Sequence, residues 1–297
     1  MNLWVSTEDA GARASDERAF ERSLAPLAPH LAELGVPRPT YTPYAPTRFD
    51  DQARALLDAK VPVFSFIFGI PPADMLRECR TKGIVTIGTA TTPEEAKALE
   101  EAGVDAIVAS GFEAGGHRGS FLRAAEDSLM GTMSLVPRIV DLVDVPVIAA
   151  GGIADGRGVV AALALGAEGV QMGTAFLTSE DSGAGALHRE ALRGSDAGYT
   201  GLTKGFTGRL ARGIRNRLMD DLNRHDTEIL PYPLQRALVK NLSVAAEKAG
   251  RPDLMPLWAG QSAPLSNCTD VSAFLKSLVE HVDSATRGVP SLLGRTG

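Results

Sequence analysis

Val145-Pro146-Val147-Ile148-Ala149-Ala150-Gly151-Gly152-Ile153-Ala154-Asp155-Gly156-Arg157-Gly158 decides how the rest of the chain is read. A short β-branched run ends in Gly-Gly and a helix begins at once. Asp155 is placed to cap that helix over residues 156–165, and Gly166 to end it. One unit later Gly169-Val170-Gln171-Met172-Gly173-Thr174-Ala175-Phe176 has the same form: strand, Gly-Thr, short helix. Working outward, apolar runs recur at 61–67, 84–89 and 104–109, with 145–150 and 169–172 closing the series. Near-continuous apolar strands of this length are those of parallel sheets buried on both faces. Helices fall between them. Thr92-Pro93-Glu94-Glu95 supplies an N-cap, a proline at the first helical position and acids in the first turn. That helix runs to about Ala102, where Gly103 stops it. Residues 2–5 offer one more strand, followed by a helix over about 15–34. Alternation at this spacing means a parallel α/β fold, a barrel or a doubly wound sheet; periodicity does not choose between them.

Two stretches break the alternation. Residues 36–47 carry Pro37, Pro39, Pro43 and Pro46 and read as a surface loop before a short helix at 49–60. Beyond Ser179 the pattern fades. Residues 194–216 are rich in Gly and Arg and read as loop with at most a short strand. Residues 217–297 read as helices with proline breaks, packed on the main body. The expectation is therefore one domain over 1–297, with βα units in 1–193 and a loop and helical extension in 194–297.

Composition excludes several classes. The 297 residues are 44% hydrophobic and 22% charged, so disordered, collagen-like and disulfide-scaffold classes drop out. Thirty Lys and Arg against 36 Asp and Glu give −6, the wrong sign for a nucleic-acid partner. Aromatic content of 5% does not suggest a platform for stacked bases. Cys79 and Cys268 lie far apart, outside any CxxC or His-rich spacing, which argues against zinc and for idle thiols in a reducing compartment. The start lacks a basic stretch followed by an apolar one, and no run of 18 apolar residues occurs. These absences set the expectation of a cytoplasmic protein with no membrane partner.

The chemistry points to Ala109-Ser110-Gly111-Phe112-Glu113-Ala114-Gly115-Gly116-His117-Arg118-Gly119. It directly follows a strand, and in barrels the carboxyl ends of strands carry the active site. Its glycines let backbone approach a ligand and expose N–H groups. His117 has the side chain for proton transfer near neutral pH; the plainer reading is a surface histidine in a flexible turn. His30, His188, His225 and His281 read as surface or half-buried residues. Arg118, Arg209 and Arg212 are candidates to neutralise an anion, although a surface role is commoner. Glu113 either orients its neighbours or faces solvent, the second being favoured slightly, and Asp155 is read as a cap rather than a catalyst. The Gly151-Gly152 loop, with a helix N-terminus behind it, reads as an anion site. Two glycine-bearing strand ends in succession match the phosphate site of cofactor-binding barrels. Neither fits GxGxxG or GxxxxGK[ST], which disfavours a dinucleotide fold and a P-loop.

Together these segments resemble the nitronate monooxygenase family, FMN enzymes on a TIM (β/α)8 barrel, within a superfamily that includes FMN-dependent enoyl-acyl-carrier-protein reductases. Further matches are Val61-Pro62-Val63-Phe64-Ser65-Phe66-Ile67-Phe68-Gly69, Gly208-Arg209-Leu210-Ala211-Arg212-Gly213-Ile214-Arg215-Asn216 and Trp258-Ala259-Gly260-Gln261, so the resemblance spans essentially the whole chain. It implies FMN over the strand ends, with its phosphate on Gly151, Gly152, Gln171, Gly173 and Thr174, and with Met172 and Ser110 also among the cofactor-binding residues. Gly115 and Gly116 would line the flavin, and Asn2 matches a family Asn beside it. His117 matches the family's catalytic histidine, the base for a nitroalkane or a positioning group for a nitronate. Oxygen then completes oxidation to a carbonyl compound and nitrite.

The resemblance has two departures. Ser110 stands where the family commonly has a Gln that contacts FMN, and its shorter side chain loses an amide donor. Family members also carry two βα units ahead of the strand matching 2–5, the first with a Pro-Met-Ala loop on the flavin. Only six candidate strands are present here, so the expectation is a barrel without its first two units, roughly 60 residues at about 30 per unit. Open sheet edges are association-prone, which puts a homo-oligomer among the expectations. The rival readings are a start that lies upstream, a shortened barrel with impaired flavin binding and no catalysis, and an enoyl reductase-like enzyme.

Overall fold

The computed structural model describes residues 1–42, 48–225 and 228–293. In chain order the elements are β1 (Asn2–Trp4), α1 (Glu17–Leu24), α2 (Ala28–Glu33), α3 (Phe49–Asp58), β2 (Val63–Ile67), α4 (Ala73–Thr81), β3 (Val85–Ala90), α5 (Pro93–Ala102) and β4 (Ala106–Ser110). There follow β5 (Gly116–His117), α6 (Thr132–Val140), β6 (Val147–Ala150), α7 (Gly156–Ala164), β7 (Gly169–Gln171), α8 (Thr174–Leu177) and α9 (Ala186–Arg193). The last are β8 (Thr200–Thr203), β9 (Ala211–Ile214), α10 (Arg217–Asn223), α11 (Leu234–Lys248) and α12 (Val271–Leu293).

Six strands form one parallel sheet in the order β1-β2-β3-β4-β6-β7. Strands consecutive in sequence are neighbours in space once β5 is set aside, which is the winding of a barrel and not of a doubly wound sheet. Among the described residues β1 pairs only with β2 and β7 only with β6. The apolar runs become strands because helices cover them. Phe64 and Phe66 of β2, Ile107 and Ala109 of β4 and Val147 of β6 pack with Leu99 of α5 and Leu135 and Ile139 of α6. The caps are local. Thr92 accepts from the Glu95 N–H at the start of α5, and Gly103 closes it with φ +82°. Asp155 accepts from the N–H groups of Arg157 and Gly158 at the start of α7.

Two sequence expectations are corrected here. The single helix over 15–34 is interrupted by a 3₁₀ turn at Ala25–Leu27, because Pro26 and Pro29 lack the N–H a continuous helix needs. Residues 194–216 hold two strands, not a loop with at most one. β8 and β9 form an antiparallel pair, and β5 adds to β9 to make a second, three-stranded sheet. Of the loop read at 36–47, residues 43–47, with Pro43 and Pro46, lie outside the described residues.

The C-terminal part has its own apolar core. Phe206, Ile214, Leu218, Leu222, Leu238 and Leu242 pack with Phe20, Leu24, Leu27 and Leu31 of the segment after β1. The segment after β1 and the C-terminal part thus share one core, and the latter reaches the carboxyl ends of the strands through Gly260 and Ser262. Among the described residues no helix is long and apolar enough to cross a membrane.

Candidate active site

The strand ends open into a cavity of about 340 Å³. Ser110 sits at the end of β4, Gly151 and Gly152 just beyond β6, and Gln171 at the end of β7. All four line the cavity, with Gly173 and Thr174 from the next turn, Asn2 from β1, and Gly115 and His117. Nine of the residues singled out in the sequence therefore face one space, although they span positions 2 to 174. Gly116 and Met172 do not line it. Gly116 takes φ +79° to turn the chain into β5, and Met172 packs against Ala154, Ala175, Cys268 and Phe274. His117 is the only titratable side chain among the described lining residues.

The glycines do different jobs. A Cβ on Gly115 would lie 2.5 Å from the Gly260 nitrogen, so Gly115 lets the Trp258–Gly260 backbone close over the loop. Gln261 N–H then donates to the Glu113 carbonyl, and Gly260 N–H to the Thr174 hydroxyl. Gly151 and Gly152 have φ of +100° and +74°, which L side chains rarely adopt. A Cβ on Gly173 would meet nothing within 4 Å. Among the described residues, the backbone N–H groups of Gly151, Gly152 and Gly173 donate to no protein acceptor. The helix N-terminus behind this loop is not available as expected. Asp155 occupies it, its carboxyl held below the usual range chiefly by Arg157. The unspent donors are those of the loop itself.

Glu113 does not face solvent. Its carboxylate accepts from the Thr132 N–H at 3.0 Å and the Thr132 hydroxyl at 2.8 Å, against the start of α6, where the helix dipole favours an anion. This clasp fixes the loop between β4 and β5. Arg118, Arg209 and Arg212 are not surface residues either; they are 5%, 6% and 4% exposed. Arg118 donates to the carbonyls of Thr91, Ser110 and Ser128, tying three loops, and burial lowers its pKa to about 10. Arg212 donates to the Phe112 carbonyl and the Thr200 hydroxyl. Arg209 bonds Asp9 and Ser6 and lies 4.1 Å and 4.4 Å from the ring centroids of Phe68 and Tyr232. His30 is likewise buried, at 3% exposure, with its Nε2 3.2 Å from Asp221.

His117 stands on β5, paired with Ala211 of β9. The Gly- and Arg-rich run is therefore the strand that holds the histidine in place. Trp4 and Trp258 pack on its ring with centroids 4.9 Å and 5.3 Å away, and Phe68 lies at 6.4 Å. Nε2 is 2.8 Å from the Thr207 hydroxyl. Burial, with the Arg209 and Arg236 charges in support, lowers the His117 pKa to about 4, so the imidazole is neutral at physiological pH. A neutral imidazole in an aromatic box, beside a cavity with no other titratable side chain among the described residues, can accept a proton from a weakly acidic carbon. Sequence reasoning missed Trp4, Thr207 and Ser262. Ser262 lines the cavity and donates to the Gly152 carbonyl, one residue past the quoted Trp258–Gln261 run.

Comparison with known proteins agrees with this architecture. The family model described as nitronate monooxygenase matches residues 1–281. A probable nitronate monooxygenase of Staphylococcus aureus (strain Newman) is 43% identical over 265 residues, 89% of this chain and 75% of that protein. The solved nitroalkane oxidase from Streptomyces ansochromogenes superposes with TM-score 0.87 at 36% identity, covering 97% of this chain and 81% of that one. FabK from Thermotoga maritima superposes with TM-score 0.69 at 31% identity, covering 82% and 75%. The α/β barrel-type fold is that of these enzymes, and the chain belongs to the nitronate monooxygenase family of oxidoreductases.

Proposed function

We propose that this chain is an FMN enzyme that oxidises nitroalkanes and alkyl nitronates with oxygen, giving a carbonyl compound and nitrite. The observation that carries the reading is His117, the lone titratable side chain among the described lining residues, beside a cavity ringed by unspent backbone donors. The residues fit a flavin mononucleotide. A phosphate dianion needs N–H donors and no carboxylate, and the lining has no carboxylate among the described residues. The open space at Gly173 accommodates phosphate oxygens beside the Gly151, Gly152 and Gly173 N–H groups. Ser110, Gly115, Gln171, Thr174 and Asn2 are the remaining cofactor-binding residues in this reading. Bound FMN supplies the oxidation of the nitronate, with oxygen as terminal acceptor.

The chain's own residues do the rest. The neutral His117 imidazole takes the α-proton of a nitroalkane, and the electron pair moves onto the nitro group to give the nitronate. Trp4, Phe68 and Trp258 exclude water around the ring and keep it neutral until that transfer. A pre-formed nitronate needs no base, so His117 then only orients it.

An enoyl reductase-like reading has the FabK superposition behind it, at a lower TM-score than the nitroalkane oxidase. One experiment separates the two. The purified protein is supplied with FMN, its visible spectrum is recorded, and it is offered a nitronate with oxygen or an enoyl thioester with a reduced nicotinamide. The proposal expects a bound-flavin spectrum and nitrite from the first pair. Nicotinamide consumption with the thioester and no nitrite from the nitronate would overturn it.

A further inference from the structure

We infer that Thr207 is a positioning residue that sets the tautomer of His117, leaving Nδ1 as the proton-accepting nitrogen; this rests on the reading of His117 as a base. Only Nε2 of the ring has a hydrogen-bond partner among the described residues, the Thr207 hydroxyl at 2.8 Å. Besides that bond the ring meets Trp4, Phe68 and Trp258 and borders the cavity, so the Thr207 bond decides which nitrogen carries the proton.

Thr207 is 6% exposed and has few alternatives. Its Oγ1 lies 3.2 Å from the Arg209 carbonyl, to which it donates, and 3.3 Å from the Arg209 N–H, from which it accepts. A hydroxyl has one proton. Sent to the Arg209 carbonyl, it leaves only lone pairs toward the histidine. Nε2 must then be the N–H donor, and Nδ1 keeps the free lone pair. Sent instead to Nε2, the hydroxyl proton deserts the carbonyl and forces the ring proton onto Nδ1, where it blocks the only unengaged nitrogen. The first arrangement satisfies the hydroxyl, the carbonyl and the ring together. It also survives the reaction, because the imidazolium formed at Nδ1 keeps its Nε2–H bond to Thr207. The arrangement is built by the turn between β8 and β9, and β9 pairs with the histidine's own strand.

The test uses ¹⁵N-histidine-labelled protein. The chain has five histidines, and the His117→Ala spectrum identifies the signals of the missing one. The expected result is a protonated Nε2 and unprotonated Nδ1 at His117 in the wild type, retained in Thr207→Ser and lost to a mixed population in Thr207→Val. Kinetics provide the second readout. Thr207→Val should lose about ten- to a hundred-fold in kcat/KM with a nitroalkane yet stay within about threefold with the pre-formed nitronate, and Thr207→Ser should restore the nitroalkane rate. A merely structural role would lower both substrates together. A protonated Nδ1 in the wild type, or equal effects on the two substrates, overturns the inference. Failure of the wild type to release nitrite from either substrate sinks the functional reading instead, while the tautomer measurement still decides the assignment.

Discussion

Gly111 and Gly173 make opposite predictions about a single added methyl group. At Gly111 a Cβ would fall 1.9 Å from the Thr132 hydroxyl, 2.4 Å from a Glu113 carboxylate oxygen and 2.7 Å from the Thr132 nitrogen. Gly111→Ala must push apart the clasp that holds the histidine loop. It should cost about 1–3 kcal/mol, visible as a lower thermal midpoint. Gly173→Ala has room and an ordinary negative φ, so its midpoint should match the wild type. Its methyl enters the space assigned to phosphate, and a fluorescence titration should show weaker FMN binding. Ser110 bears on the same titration. Ser110→Gln returns an amide donor at the end of β4 and should tighten FMN. For His117, a pKa of about 4 means that nitroalkane turnover holds as pH falls from 7.5 to about 5 and drops near 4. An ordinary histidine would begin its drop near 6.5.

The elements show which features a sequence can reveal. The caps of α5 and α7 are local devices, so Thr92, Gly103 and Asp155 were readable from their immediate neighbours. The second sheet was not. β5 has two residues, and its partner lies some ninety positions on in a run of Gly and Arg with poor strand propensity. Glu113 and the three buried arginines were misread for a related reason. Each is satisfied by groups distant in sequence, and the residue type alone favours the surface. The glycines at the strand ends were legible as places of close approach. Which of them border the cavity alone and which are also packed by backbone became clear only with Gly260 set against Gly115. Asp155→Ala removes a cap and should cost about 1 kcal/mol in urea melts. Because the Asp155 carboxyl titrates below its usual range, that contribution is present at neutral pH. It fades as pH falls through the lowered value, so the two proteins should converge in strong acid.

At the scale of the whole molecule, a parallel sheet and a helical layer with separate cores meet at the strand ends, and the cavity lies between them. Three histidines, His30, His117 and His188, have their pKa values lowered chiefly by burial. The unfolded chain therefore binds more protons than the native one between about pH 6.5 and 4. Stability should fall as pH falls through that window and be flat above it, with His117 alone contributing on the order of 2 kcal/mol by pH 5. Denaturant melts at pH 7.5 and 5 check this, and His117→Asn should shrink the difference by the His117 share, leaving that of His30 and His188.

The most direct test of the central claim is nitrite release by the FMN-supplied wild type and His117→Ala, each offered a nitroalkane below its own pKa and the corresponding pre-formed nitronate. The account predicts nitrite from both substrates in the wild type. In the variant it predicts a loss of about a hundredfold or more with the nitroalkane and a much smaller loss, within about tenfold, with the nitronate that His117 only orients. A His117→Ala protein that converts the nitroalkane at the wild-type rate would contradict it.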